Sequence, residues 1–433
     1  MPASPFALLK TRRLWPLTLA QACGAVNDNL VKNAMVVLAI FRLGAGGAGL
    51  SALAGALFIA PYILLSATAG QVADRFSKPR VILGAKLAEV VLMAGAAAAF
   101  LTASVPALLA VLLGLGIQAA VFGPVKYGIL PELLAERELV AGNGVIEAGT
   151  FVSIVTGTVL GGALVLLSDG PAVVSATGLA TSLLGLLAAT RIPPLPAAAP
   201  GLRIGPNVFA ETWRIVRQAA PQRPIRLSIL GLSWFWTIGA TLMTEFPVLA
   251  RDTLHADGSV LTLMLTVFAL GVGVGSISCA KLLRGEVSAR FVPLAALGIS
   301  LFLWEFSNAC SAGGHAGLHD AAAMASTVRG WRILADLVLL AACGGVFSVP
   351  LYAIMQDMAD PACRSRTIAA NNVVNALFMV AGAAAAAALA AGGIDPPAVL
   401  TLAAAANLAV TVWALRILPQ PFLGPLLGRY PRR

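Results

Sequence analysis

The chain has 433 residues, of which 59% are hydrophobic and 11% charged, far from the roughly 45–50% apolar and about 25% charged residues of soluble domains. It is therefore read as an integral membrane protein, and its long apolar runs favour helices over barrel strands of about 10 residues. A net charge of +10 would point to nucleic acid in a soluble chain, but here it is better explained by basic cytoplasmic loops, so no nucleic-acid partner is expected.

The first apolar segment follows Lys10, Arg12 and Arg13, and LWPLTLAQAC imitates a secretory signal. Apolar sequence resumes after Asp28 and runs to Phe41, so 14–41 fits a first span with a polar interruption better than a cleaved leader. That interruption holds Asn27, Asp28, Asn29, Lys32 and Asn33. An Asp28–Lys32 pair, four apart on one helical face, would explain two of these residues but not all five. Asp28, with Asn29 beside it, is thus a candidate functional group near mid-membrane.

Spans at 50–73, 80–103, 105–128, 138–167 and 171–190 complete a first set of six. In the third, Lys86 and Glu89 are spaced as a structural pair. The fourth carries Lys126 at the end of its apolar run, and the fifth carries Asn143 and Glu147 on one helical face, where Glu147 is expected to meet Lys126. Residues 191–225, with PPLPAAAP and an expected interfacial helix over 206–218, form a linker. Spans at 226–250, 259–283, 288–310, 332–357, 364–393 and 396–417 follow. The expected domains are a six-helix bundle over 1–190, a cytoplasmic linker over 191–225 and a second six-helix bundle over 226–433.

Charge supports an even number of spans, which puts the linker and both termini on one side. Of the 29 lysines and arginines, 22 then fall on that side, four on the other and three within spans, so the basic side is expected to be cytoplasmic. An internal echo supports duplication: Phe347, Pro350, Tyr352 and Asp357 repeat Phe122, Pro124, Tyr127 and Glu132, while Asn371 and Asn375 repeat the spacing of Asn143 and Glu147. Weak similarity between halves is a mark of repeat-built transporters with sites between the halves.

Other motifs point away from catalysis. Cys23, Cys279, Cys310, Cys343 and Cys363 are odd in number and lack CxxC spacing, so they indicate neither a disulfide framework nor a zinc site. His315 and Asp320 have the H-x4-D spacing of glycerolipid acyltransferases, but a loop over 311–330 is too small to hold that active site. No P-loop lysine motif is present. No nucleophile, metal set or convergent acid/base pair supports an enzyme, and no cofactor is expected.

The segment Gly70-Gln-Val-Ala-Asp74-Arg75-Phe-Ser-Lys78-Pro-Arg80 resembles the loop signature of the major facilitator superfamily, with Ser77 where glycine is usual. Gly70 would allow close helix approach, and Asp74, Arg75, Lys78 and Arg80 would latch neighbouring helices as a gating motif. With the first-span NDN and FGPVKYGIL…NGVIEAGT, the chain resembles bacterial lysophospholipid transporters of that superfamily. It is particularly similar to the transporter domain that some bacteria fuse to an acyltransferase and an acyl-carrier-protein synthetase. SWFWTIGATLMTEFP at Ser233–Pro247 adds to the likeness. The resemblance implies an all-α integral membrane fold of twelve transmembrane helices in two six-helix pseudo-repeats.

It also implies movement of lysophospholipids, such as lysophosphatidylethanolamine, across the bacterial inner membrane for reacylation, with a separate acyltransferase/acyl-carrier-protein synthetase as partner. Family positions map onto Asp28, Lys126 and Glu147. The family's span-seven arginine has no counterpart, and Met243, Thr244 and Glu245 occupy that region. From the residues themselves, Asp28 would hold a head-group amine, Lys126 would meet phosphate, and Asn143 and Glu147 would tune Lys126. Asn29, Asn371 and Asn375 complete the expected substrate site. The alternatives are a proton-coupled drug or metabolite carrier, with Asp28 or Glu147 changing protonation, and a membrane scaffold for an acyltransferase.

Overall fold

A computed structural model of the chain describes residues 4–43, 48–219, 221–312 and 318–417. His315, of the H-x4-D spacing, lies outside the described residues, as does the C-terminal segment with Arg429, Arg432 and Arg433. Asp320 caps the short helix Ala321–Ser326 by accepting from Ala323 N at 2.7 Å.

Among the described residues all regular secondary structure is helical. Its long helices are α1 (Trp15–Val37), α2 (Ala48–Arg75), α3 (Lys78–Leu101), α4 (Val105–Gly128), α5 (Leu139–Leu164) and α6 (Gly170–Ala189). After the linker come α7 (Arg223–Val248), α8 (Gly258–Leu282), α9 (Val292–Ser311), α10 (Val328–Met358), α11 (Arg364–Ala391) and α12 (Pro396–Ile417). Eleven are long and apolar enough to cross a membrane. The twelfth, α1, has 23 residues and is long enough to span, but its NDN interruption lowers its apolarity.

The helix starts follow local chemistry. Proline occupies the first turn of α1, α3, α4, α6, α7 and α9, where its missing N–H costs nothing and its φ is already helical. Asp257 caps α8 by accepting from Ser259 N at 2.8 Å, and Thr327 caps α10 by accepting from Gly330 N at 3.0 Å. Both α1 and α7 run on into a single π-helical turn, at Leu38–Arg42 and Leu249–Thr253. The opening helices of the two sets of six therefore end alike, a backbone counterpart of the sequence echo.

Packing follows the same repeat. α1 lies against α5 and α6, and α3 against α4 and α6. In the second set α7 lies against α11 likewise but against α10 more than α12, and α9 lies against α10 and α12. Two seams join the sets: α5 against α8, and α2 against α11. Small residues make the close approaches, as expected where lipid supplies no hydrophobic force between helices. A Cβ on Gly157 would lie 2.3 Å from Val26 O of α1, and one on Gly144 would lie 2.4 Å from Ser276 O of α8.

The seams are tied at one end, here termed the basic end, where the 76–77 turn, the 129–138 loop, the linker and the α10–α11 turn gather. The Asp74 carboxylate accepts from Ser365 N at 3.0 Å, Arg366 N at 3.2 Å and Arg366 Nε at 3.0 Å, so it caps the start of α11 from across the seam. Lys78, fully buried, donates to Glu132 at 2.6 Å. Asn143 and Gln356 exchange bonds of 2.6 and 3.0 Å between α5 and α10. Toward the opposite end the seam opens: α11 buries only Ala386 beyond Ala376, and residues 49–60 of α2 bury only Ala54.

The linker underlies the α2–α11 seam. Ser77 Oγ donates to Leu195 O at 2.8 Å and Ala199 N to Asp74 O at 2.7 Å. The expected interfacial helix forms over Val208–Ala219. It packs on α2 and α11, is held by Gln71 donating to Glu211, and exposes Phe209 and Trp213.

The Asp74 bonds to α11 generate a prediction. Hydrogen bonds to a charged group contribute about 1.5–3 kcal/mol, so Asp74→Asn should weaken closure at the basic end. Spin labels on Phe76→Cys and Ala362→Cys, read by pulsed electron resonance, should give a longer and broader distance distribution in the variant. An unchanged distribution would show that Asp74 does not hold the seam.

Candidate functional site

The polar residues of α1, α3, α4 and α5 sort into satisfied and unsatisfied groups. Lys86 and Glu89 form an ion pair of 2.6 Å and are both buried. Glu89 also accepts from Asn27 at 2.9 Å and Gln118 at 3.3 Å, while the Lys86 ammonium lies 5.1 Å from the Phe122 ring centre. This is the structural pair the sequence suggests.

Asp28 is different. It is half-buried on α1, its Oδ1 is buried without a hydrogen-bond partner, and it makes no ion pair within 4.0 Å among the described residues. The self-neutralising Asp28–Lys32 contact is thus not formed. The charges around Asp28 are Glu89, Lys86, Lys32 and Lys126. Its neighbours Asn29 and Asn33 turn their amides back onto their own helix, donating to Ala25 O and Asn29 O at 2.9 Å each. Asn29 is therefore occupied locally, although it shares the α1 polar stretch.

The expected Lys126–Glu147 ion pair does not form, and the structure corrects that expectation. Glu147 Oε2 instead accepts from Tyr127 Oη at 2.9 Å, and Glu147 Oε1 is buried without a partner. Lys126 is half-buried, with its ammonium 4.9 Å from the Tyr127 ring centre. Adjacent residues point about 100° apart around a helix, so α4 can aim only one of Lys126 and Tyr127 at α5. The phenol takes the carboxylate, and Glu147 remains a neighbouring charge to Lys126 rather than its direct partner.

Across the centre, Tyr127 stacks on Tyr352 with ring centres 4.3 Å apart and planes 5° from parallel. These are the two tyrosines of the sequence echo, so the repeat brings equivalent residues face to face. Trp236 Nε1 donates to Tyr352 Oη at 3.2 Å, and Trp236 stacks on Phe151 at 6.0 Å. The second set of helices contributes neutral polarity: Asn371 is buried with both amide atoms unpartnered, as are Ser348 Oγ and Asn372 Nδ2. Asn375 accepts from Ser233 at 2.7 Å.

The sequence-selected residues do not all converge. Asp28, Lys126, Glu147 and Asn371 lie around the tyrosine stack or within its charge neighbourhood. Asn143 instead ties α5 to α10 through Gln356, and Asn375 ties α11 to α7. Of the gating motif, Gly70 meets the backbone of α11 at Ser365 O, Asp74 and Lys78 make the contacts described above, and Arg75 and Arg80 make no ion pair among the described residues. Residues missed from sequence are Tyr127 as the partner of Glu147, Gln356, Trp236, and the Gln21–Thr150 bond of 2.9 Å between α1 and α5. Polar amides within apolar runs, as at Gln21, Gln118 and Gln356, were the available signal.

Two six-helix sets joined along two seams, with charges held among the central helices of the first, define a multi-pass membrane transporter. A family description for the Major Facilitator Superfamily matches residues 17–313, and the chain belongs to that superfamily. It is 31% identical over 332 residues to the lysophospholipid transporter LplT of Shigella boydii, covering 73% of this chain and 72% of that protein. It is 29% identical over 314 residues to LplT of Serratia proteamaculans, covering 69% of each. In structure it resembles a bacterial homologue of the iron transporter ferroportin in an outward-facing state, at TM-score 0.70 and 14% identity over 94% of this chain and 99% of that one. It also resembles the fucose:proton symporter FucP of E. coli, at TM-score 0.67 and 13% identity over 94% and 99%.

The satisfied pair is distinguishable by stability. Breaking a buried pair from one side costs about 3–5 kcal/mol, whereas replacing both partners is often neutral. Lys86→Met and Glu89→Gln should each depress thermal stability in detergent, with the double variant recovering most of the loss. For Tyr127 and Glu147, a cycle of Tyr127→Phe, Glu147→Gln and the double variant should give a coupling of about 1–3 kcal/mol. A coupling near zero would mean that the phenol does not hold the carboxylate.

Proposed function

We propose that the chain moves lysophospholipids across the bacterial inner membrane, from the outer to the inner leaflet, for reacylation by a separate acyltransferase/acyl-carrier-protein synthetase. The observation that carries this reading is the pair of separated charges: half-buried Asp28 and half-buried Lys126, neither in an ion pair within 4.0 Å among the described residues. A transport substrate that is itself zwitterionic, with an amine and a phosphate, complements both. The names of the LplT relatives agree with that substrate class.

In this reading Asp28 receives the amine, Lys126 the phosphate, and Glu147 with Tyr127 holds the field around Lys126. The single acyl tail lies along apolar helix surface. Glu245, buried on α7, stands in the region of the family arginine and contributes no positive charge to the phosphate, so Lys126 carries that role alone. Net movement follows the gradient that reacylation maintains, without a coupled ion. We assign the basic end and both termini to the cytoplasm, with bundles 1–190 and 226–433 moving about the 191–225 linker as the seams open and close.

The test is uptake of labelled lysophosphatidylethanolamine into proteoliposomes, with and without a proton gradient. Uptake should be independent of the gradient. Asp28→Asn should reduce it at least about tenfold, since an amide supplies no full charge to an ammonium and even a modest loss of binding energy, about 1.4 kcal/mol, is a factor of ten. Recovery of uptake in Asp28→Asn with Lys32→Met would assign Asp28 to neutralising Lys32 instead. Gradient-driven movement of unrelated drugs with no lysolipid uptake would replace the reading with a proton-coupled carrier.

Orientation is checked separately with single cysteines at Gly201 and His319 in a cysteine-free background. In intact cells an impermeant external reagent should label His319→Cys and not Gly201→Cys. Labelling of both would overturn the assigned topology.

A further inference from the structure

A second charged feature lies away from the helix centre, at the outer flank of the basic end. There the 76–77 turn, the end of α6 and the first residues of the linker enclose a cleft of about 730 Å3, lined by Arg75, Arg80, Leu83, Thr190, Pro194 and Pro196 among others. Its floor is fixed, because Ser77 and the Asp74 carbonyl are both bonded to the linker backbone. Arg75 and Arg80 have no ion-pair partner among the described residues, and neither has Arg191, which adjoins the lining residues Thr190 and Ile192. The central transport site uses none of these groups.

The apolar surroundings run in one direction. Leu87 follows Leu83 by one turn on α3, and Leu183 and Leu187 precede the cleft on α6; Leu87, Leu183 and Leu187 are all exposed. α3 and α6 are packed neighbours, so the cleft, lined by the guanidiniums of Arg75 and Arg80 with Arg191 adjoining it, lies at the end of exposed apolar side chains on both helices. Positive charge at the head-group level beside exposed apolar side chains of α3 and α6 matches a molecule with an anionic head and long acyl chains. Guanidinium forks bind phosphate oxygens through two parallel bonds, and basic pockets between helices at this depth suit anionic head groups.

We propose that this cleft binds the head group of an anionic two-chain phospholipid of the adjoining leaflet, as a resident lipid distinct from the transported one. The phosphate sits between Arg75 and Arg80, with Arg191 adding positive charge beside the cleft, and the acyl chains lie along Leu83, Leu87, Leu183 and Leu187. Because the cleft floor is bonded to the backbone carbonyl of Asp74, the bound lipid braces the turn whose carboxylate caps α11.

The test uses the purified full chain in detergent with an equimolar mixture of phosphatidylglycerol and phosphatidylethanolamine of matched chains, read by native mass spectrometry. The wild-type chain should retain phosphatidylglycerol over phosphatidylethanolamine by about tenfold, since each basic residue near the surface contributes enough attraction for several-fold enrichment. Arg75→Gln with Arg80→Gln and Arg191→Gln should abolish that preference. Ala197→Trp, which fills the cleft without changing charge, should lower phosphatidylglycerol retention at least about threefold, a small part of the expected preference. Arg203→Gln with Arg217→Gln and Arg284→Gln, which removes as much charge elsewhere on the basic end, should keep it.

Equal retention of the two lipids by the wild-type chain overturns the proposal. So does equal loss in both triple variants, which would make the attraction diffuse. Displacement of the lipid by soluble glycerol phosphate at the same concentration would show that the cleft reads free phosphate, and the lipid assignment would fail. Thermal unfolding of each variant accompanies the measurement. If Ala197→Trp does not fold, the two triple variants decide the question.

Discussion

The cost of holding charge inside hydrocarbon governs the arrangement of this chain. A carboxylate or ammonium placed there must be neutralised, hydrogen-bonded or directed to a polar space. Lys86 and Glu89 take the first route, with Asn27 and Gln118 completing the shell of Glu89. Asp28 and Lys126 do not take the first: they are half-buried, apart, and not in ion pairs among the described residues. Lys86 stands beside both as a neighbouring charge, so the locked pair also sets the field in which the free charges sit. Replacing the free charges by apolar residues would remove their desolvation cost, so stability alone does not account for them.

The closure at the basic end obeys the same economy at lower polarity. Asp74 meets three donors at the start of α11, where the unsatisfied N–H groups of a helix and its dipole both favour an anion. Asn143 and Gln356 satisfy each other across α5 and α10 through two reciprocal bonds. Gly144 lets α5 touch the backbone of α8 beside them. The Asn143–Gln356 and Gly144 contacts use neutral groups, whereas parting Asp74 from α11 strips its carboxylate of these donors and leaves it to be hydrated at the basic end.

Much of this was legible in the sequence, and the part that was not has a common cause. The helices follow from runs of apolar residue types broken by Pro, Gly and charge, and these are local properties; the observed ends fall within a few residues of expectation for most spans, as in 105–128 against Val105–Gly128. Asp28, Lys126 and Glu147 were visible because a charge among apolar neighbours is conspicuous. Their partners were not. Whether Lys126 or Tyr127 meets Glu147 depends on the rotation of α4 against α5, which is set by packing over the whole helix. The Asn143–Gln356 bond joins residues 213 apart, and no local pattern announces such a pairing. The tyrosine echo was visible as a repeat, but its meaning as a face-to-face stack required both sets of helices in place.

The Tyr127–Tyr352 stack shows what the duplication leaves to the mechanism. Equivalent residues of two related halves meet where the halves are related, so the stack spans the boundary between them, and separating the seams at the basic end must part it. The same movement must break Asn143 from Gln356 and Asp74 from α11, contacts whose combined strength is of the order of several kcal/mol. A ligand shifts such an equilibrium only by its difference in affinity for the two states, and moving it from 1:99 to 99:1 takes about 5.5 kcal/mol. In the proposed reading Glu147 conveys that difference. Its Oε2 holds Tyr127, one half of the stack, while Lys126 beside that tyrosine faces the charged neighbourhood of Asp28. In that reading an anionic group drawn to Lys126 acts on the same turn of α4 that carries half of the stack, so charge recognition and the boundary between the halves would meet at two consecutive residues.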